Sequence, residues 1–188
     1  MKPVALIAAC LLALAACKED EAALPQPVAM SGDALGYYCQ MNLAEHDGPK
    51  AQVHLAGTPV PLFFSQVRDA IAYQRMPEQD ATIAAIYVSD MGRAHSWENP
   101  GVDNWIAATD AFYVVGSDAV GGMGASELVP FARRQAADSF ARRHGGRIAS
   151  LDEIADTEVL APANGPTQTP DEDDYLSRLR ALSSEGNG

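Results

Sequence analysis

The feature that most limits how this chain can fold is an order of segments that occurs twice. In the first pass, Ala51-Gln52-Val53-His54-Leu55 alternates as a strand does, Gly57 and Pro59 mark a turn, and Val60-Pro61-Leu62-Phe63-Phe64 is a second apolar run. Ser65 is placed to cap the helix that follows, where Phe64, Val67, Ile71 and Gln74 fall on one face at helical spacing and Pro77 lies beyond the end. Thr82 to Val88 then reads as a buried strand. In the second pass, Ala111 to Val115 is a strand, Gly116 to Gly124 is a glycine-rich connection, and Glu127-Leu128-Val129-Pro130-Phe131 echoes the earlier Pro-Leu-Phe-Phe segment. A helix over Ala132 to His144 is stopped by Gly145-Gly146, and Arg147 to Leu151 closes as a strand. Each half therefore reads strand, strand, helix, strand, and the expected class is α+β, two similar ββαβ units. Asp103 to Asp110 bridges them, with Trp105 expected to plug a core or the interface between the halves.

The ends of the chain have a different character. Lys2 precedes an apolar run from Pro3 to Leu14, too short to span a bilayer as a mature helix, which ends at Leu14-Ala15-Ala16-Cys17. Small residues before a cysteine form the pattern of a bacterial lipoprotein signal, cleaved before Cys17 so that its thiol carries lipid. The expected organisation is a signal peptide over 1–16, a lipid-anchored linker over 17–34, a first unit over 35–98, a second over 99–157 and an acidic, disordered tail over 158–188 punctuated by prolines. The expected location is the periplasmic face of a bacterial membrane. Lys18, not an aspartate, follows the lipidated position, which favours the outer membrane.

Charge and cysteine usage narrow the chemistry. A net charge of −12 with scattered arginines offers no phosphate-binding surface, so nucleic acid is not an expected partner. With Cys10 lost in the signal and Cys17 taken by lipid, Cys39 is left alone in an oxidising compartment. A lone exported thiol is a metal ligand, a nucleophile, one end of an intermolecular disulfide, or an inert core residue. Cys39-Gln40-Met41 sets a thiolate and a thioether one residue apart, and soft sulfur donors select Cu(I) over hard cations. His46 is followed by a Gly48-Pro49 turn that can bring it back towards Cys39. Met123 is flanked by glycines that leave its thioether uncovered. Met91 and His95 are weaker candidate donors. For an enzyme, Cys39 paired with His46 or His54, oriented by Asp110, is the only constellation, and no phosphate loop, Gly-x-Ser-x-Gly or His-Glu-x-x-His accompanies it.

Taken together, these segments resemble the NosL-type lipoproteins, accessory proteins of nitrous oxide reductase assembly. The resemblance is carried by Leu14-Ala15-Ala16-Cys17, Tyr38-Cys39-Gln40-Met41, His46-Asp47-Gly48-Pro49-Lys50-Ala51-Gln52, Pro61-Leu62-Phe63-Phe64-Ser65, Asn104-Trp105-Ile106-Ala107-Ala108, and Met123-Gly124 ahead of Glu127 to Phe131. It covers the body from Tyr37 to Ile154 but not the acidic tail. It implies a duplicated ββαβ fold related to that of the organomercurial lyase, though not that enzyme's reaction. It also implies a non-enzymatic role, periplasmic Cu(I) binding and delivery towards the copper–sulfide centre of nitrous oxide reductase, alongside an ABC-type membrane complex. The family's copper-binding Cys and downstream Met fall on Cys39 and Met123, with Met41 and His46 as further donors. The family often has glycine where Gln40 stands. The alternatives to this reading are a thiol-dependent periplasmic enzyme using Cys39 and a structural lipoprotein that binds no metal.

Overall fold

The computed structural model describes residues 24–79 and 81–161. The signal peptide, Cys17 and the tail from 162 onward lie outside the described residues. The body contains two antiparallel sheets. The first has the order β2-β1-β3-β4, built from β1 (Ala51–Leu55), β2 (Leu62–Phe64), β3 (Ile83–Ser89) and β4 (Trp105–Ala107). The second has the order β6-β5-β7, built from β5 (Phe112–Val115), β6 (Val129–Phe131) and β7 (Arg147–Ala149). Helix α1 (Val67–Arg75) joins β2 to β3, α2 (Arg134–His144) joins β6 to β7, and a short α3 (Asp156–Leu160) ends the described chain.

The repeated order therefore becomes a repeated topology. In each half the first strand is central, pairs with the second in a hairpin and with the third on its other edge, and the helix bridges the two outer strands. The hairpin registers correspond, with Ala51 opposite Phe64 in one and Phe112 opposite Phe131 in the other. Each helix starts three residues past that pairing, after an extended residue that makes no side-chain cap. Ser65 does not cap α1. The chain stays extended through Gln66, whose side chain is committed elsewhere, and Ser65 is buried.

Periodicity explains most of the packing. Val67, Ala70 and Ile71 recur at helical spacing and are fully buried, so six of the nine residues of α1 lie inside. They share one apolar core with Val53 and Val88 of the first sheet and with Tyr113, Val115, Leu128 and Ala149 of the second half. Helix α2 buries only Ala137 and Phe140, against Val114, Val129 and Phe131 on the outer face of the second sheet. Gly145 (φ 72°) and Gly146 (φ 90°) end α2 in left-handed conformations, and a Cβ on Gly146 would stand 2.7 Å from Val115 O, so the chain turns straight into β7 beside β5.

Three segments depart from the expected organisation, the shortest being 158–160, expected as tail but part of α3 with Val159 buried in the core. Trp105 belongs to β4, an edge strand of the first sheet, where it is half-buried with its ring near Phe63 and is not a plug between the halves. This half-buried stretch of three residues pairs with β3 because β3 is long enough to offer Tyr87 to Ser89 as partners. From Leu24 onward, the segment expected to be linker is laid along the first sheet. Gln52 accepts from Val28 N (2.9 Å) and donates to Val28 O (3.0 Å), Tyr87 donates to Pro25 O (2.7 Å), and Met30 N donates to Val102 O (2.8 Å). This strap explains why β1 is buried on both faces: its polar residues Gln52 and His54 lie beneath it, hydrogen-bonded to each other at 2.8 Å.

Candidate metal site at the seam of the two halves

Cys39 sits in a tight loop pinned at its base. Gly36 N donates to Met41 O (2.9 Å), Gln40 N donates to Gly36 O (2.8 Å), and Leu35 and Asn42 form a bridge. A Cβ on Gly36 would stand 2.5 Å from Cys39 Sγ, so the thiol occupies space that only glycine leaves. Gln40 has φ 55°, the one non-glycine in the left-handed region among the described residues, and its amide offsets the strain by donating to Tyr37 O at 2.6 Å. Cys39 is half-buried, while Tyr38 and Met41 on either side of it are exposed.

His46 returns to this loop. The reversal is made by a 3-10 turn over Leu43–Glu45, capped by the Asn42 side chain accepting from Ala44 N, and not by the Gly48-Pro49 turn. The imidazole Nε2 lies 4.0 Å from Cys39 Sγ, and Nδ1 lies 3.0 Å from Gly122 O. A carbonyl only accepts, so Nδ1 is the donor, and in the neutral ring Nε2 is the lone pair that faces the thiol. His46 is 8% exposed, so that orientation is held by protein. Gly122 belongs to the second half, in the connection between β5 and β6, and a Cβ there would stand 2.6 Å from His46 Cβ. The next residue, Met123, is exposed, with its N–H bonded to Gln66 Oε1 at 2.9 Å.

Beneath the two loops lies a buried polar layer. Lys50, 1% exposed, donates from Nζ to Gly48 O (2.6 Å) and Asp47 O (3.2 Å), steadying the segment that carries His46. Glu127, 2% exposed, accepts from Arg68 N (3.0 Å) and Leu128 N (2.8 Å) through Oε1, while Oε2 has no partner and lies against Gly121. Burial pushes Glu127 up to about 8, against the pull of its two backbone donors and of the Lys50 charge. Burial likewise brings Lys50 down to about 8, with Glu127 and Asp47 opposing. Burial also raises Asp69. A neutral Glu127, protonated on its unpartnered oxygen, suits this environment better than a buried anion.

Of the residues singled out by sequence, Cys39, His46 and the Met123 loop meet at this seam, while Met41, in the same loop as Cys39, is exposed. Met91 packs into the second apolar cluster and His95 lies in an exposed loop. His54 is held on the strap face by Gln52, and Asp110 is exposed beside Thr109, so neither completes a triad with Cys39. Among the described residues no three His, Cys, Asp or Glu side chains are grouped to hold a metal ion. Gln66, Lys50 and Glu127 escaped sequence reasoning. The available signal was a lone acid or amide at the head of an apolar segment, Glu127 before Leu-Val-Pro-Phe and Gln66 between Phe-Phe-Ser and Val67.

Comparison with known proteins agrees with this architecture. The NosL family model matches residues 27–159. The chain is 56% identical over 185 residues to the copper-binding lipoprotein NosL of Achromobacter cycloclastes, spanning 97% of this chain and 96% of that protein. It is 37% identical over 138 residues to the copper-binding lipoprotein NosL of Stutzerimonas stutzeri, spanning 73% and 70%. The crystal structure of the copper chaperone NosL from Shewanella denitrificans superposes with a TM-score of 0.64 at 28% identity, over 69% of this chain and 96% of that one. A match along the whole described body, carried by sequence and by fold, places this chain in the NosL family.

Proposed function

We propose that this protein is a membrane-anchored copper carrier that binds Cu(I) between Cys39 Sγ and His46 Nε2, with the thioethers of Met123 and Met41 as further donors. The observation that carries the reading is the 4.0 Å gap between the Cys39 thiol and the outward-facing imidazole nitrogen of His46, whose other ring nitrogen is taken by Gly122 O. Metal–sulfur and metal–nitrogen bonds are about 2.3 and about 2.0 Å for the d10 ion zinc. A d10 ion of similar size therefore enters this gap with little movement of either side chain. Two donors with soft sulfur nearby suit Cu(I), which accepts few ligands, better than a cation that demands four or six. A half-exposed site of this kind also lets an acceptor ligand enter before the donor leaves. The copper-binding and chaperone names of the relatives support cargo handling over thiol catalysis.

Lipid on Cys17 holds the carrier to the membrane, on the periplasmic face and by preference at the outer membrane. The acceptor is nitrous oxide reductase, reached together with an ABC-type assembly complex. The resemblance of the sequence motifs and the membership in the NosL family support this pathway. Anaerobic titration of the intact protein with Cu(I) against a competing chelator tests the binding. One tight equivalent that blocks the Cys39 thiol is expected. Copper that binds without blocking the thiol, or a reactive thiol that takes no copper, overturns the reading, and the latter result favours a thiol enzyme.

A further inference from the structure

The peptide between Gly122 and Met123 is held at both of its polar ends by the first half of the molecule. Its carbonyl accepts from His46 Nδ1 at 3.0 Å, and its N–H donates to Gln66 Oε1 at 2.9 Å. Both gripping side chains are shielded from solvent, His46 at 8% exposure and Gln66 at 2%. Gln66 is itself fixed. Its amide nitrogen donates to Asp69 Oδ2 (3.2 Å), and the same Oε1 accepts from Ala125 N (3.4 Å). The two glycines allow the approach, since a Cβ on Gly121 would stand 2.7 Å from Gln66 Oε1 and one on Gly122 would stand 2.6 Å from His46 Cβ.

A peptide unit is a rigid plane whose C=O and N–H point in opposite directions. Turning this one to release Gln66 also swings the carbonyl away from His46. The tautomer of His46 and the backbone of Met123 are thus set by a single object, and Gln66 is the buried side chain that locks it from α1. We propose that Gln66 is a positioning residue for copper, fixing the 122–123 peptide so that His46 keeps its Nε2 lone pair on Cys39 and Met123 stays at the seam. This rests on the copper reading above. Gln66 does not touch the metal, and its influence passes through the peptide.

Two variants disturb the clamp from opposite sides. Gln66→Met keeps the length of the side chain and loses its strong acceptor. Gly122→Ala crowds the same peptide off His46, at a position where no left-handed backbone is required. The His46 tautomer is read in the intact apo-protein by long-range nitrogen–proton NMR, together with amide exchange at Met123, thermal melting and Cu(I) competition. The wild-type protein is expected to show the Nδ1–H tautomer alone. Both variants are expected to show mixed tautomers, a faster Met123 amide and a loss of about 10- to 100-fold in copper affinity, the range typical for groups that orient a metal-binding histidine. A tautomer unchanged in both folded variants overturns the proposal, as does unchanged copper affinity in both. If one variant does not fold, the other decides. Should Cys39→Ser also leave copper affinity intact, the copper reading is what fails, and the apo tautomer shift still reports on the clamp.

Discussion

The two hairpin connections of the duplicated unit have diverged. In the first half, residues 56–61 link β1 to β2 in a short turn that is exposed up to Val60. In the second, residues 116–128 link β5 to β6 by a path twice as long, which folds back on the first half and carries Gly121, Gly122, Met123 and Glu127. Long connections inside a compact body tend to be functional, and this one supplies half of the seam. The helices differ in the same sense. Ile71 of α1 is fully buried, whereas Asp138, the matching residue of α2 by its distance from the hairpin pairing, is half-buried on an outer helix. Gln66 and Arg133, each the residue before its helix, share an extended backbone, yet one is buried and spans the seam while the other is exposed. Duplication built the scaffold, and the candidate site arises where the copies stopped being alike.

The contrast can be broken most directly at the donors. Cys39→Ser replaces the soft thiolate with a hydroxyl and is expected to lower Cu(I) affinity more than about a hundredfold, about 2.8 kcal/mol. Met123→Leu, on the long connection, is expected to cost about tenfold, about 1.4 kcal/mol. Its apo-protein should stay within about 1.5 kcal/mol of wild type in stability. Chelator competition and urea melts give both numbers. If Met123→Leu binds copper as wild type does, the long connection adds no donor and the site is local to the first half.

The helices offer a second contrast. Ile71→Ala empties a fully buried position in the shared core and should cost about 2–5 kcal/mol. Asp138→Ala at the matching place in α2 should change stability by about 0.5 kcal/mol or less. Comparable losses in urea melts would mean that α2 is as deeply committed to the core as α1.

Glu127 sharpens the contrast through pH. Its folded pKa of about 8 lies above the ordinary carboxyl value of 4.5, so in that window the unfolded chain has released a proton that the folded chain retains. Stability attributable to Glu127 is therefore fully present below about 4.5 and lost as pH rises towards about 8. Glu127→Gln should flatten this part of the melting profile, leaving the variant relatively more stable at pH 8 than at pH 5. Parallel profiles for wild type and variant would rule out a protonated Glu127 in the long connection. The smallest effect is expected at Gln40. Glycine there relieves the left-handed strain but loses the bond to Tyr37 O, so stability should move by less than about 1 kcal/mol and copper affinity should not change.

What the sequence revealed follows from the range of each interaction. Period-two and helical patterns are local, and they located β1, β5, both helices and the Gly145-Gly146 stop to within a few residues. The bridge over Trp105 hid a strand, because three residues carry no period and their pairing with Tyr87 to Ser89 is a tertiary fact. The Gly48-Pro49 dipeptide suggests the return of His46, but the reversal comes from Asn42 capping a 3-10 turn just ahead of it. For Gln66 and Glu127 the only local signal is a lone polar residue at the head of an apolar segment, and their roles become legible only with the partner 57 or 59 positions away.

The strap from Leu24 to Met30 has a consequence for reach. For a body anchored through Cys17, as proposed above, seven residue steps would separate the membrane from the first residue laid on the sheet, a span of at most about 25 Å even when fully extended. Every bond between Val28 and Gln52, and between Pro25 and Tyr87, subtracts leash that the composition alone would have granted. A tether of that length sets an upper limit on the height above the bilayer at which cargo could be handed over. An acceptor site below that limit would be within reach, and one further from the lipid would have to come down to meet it.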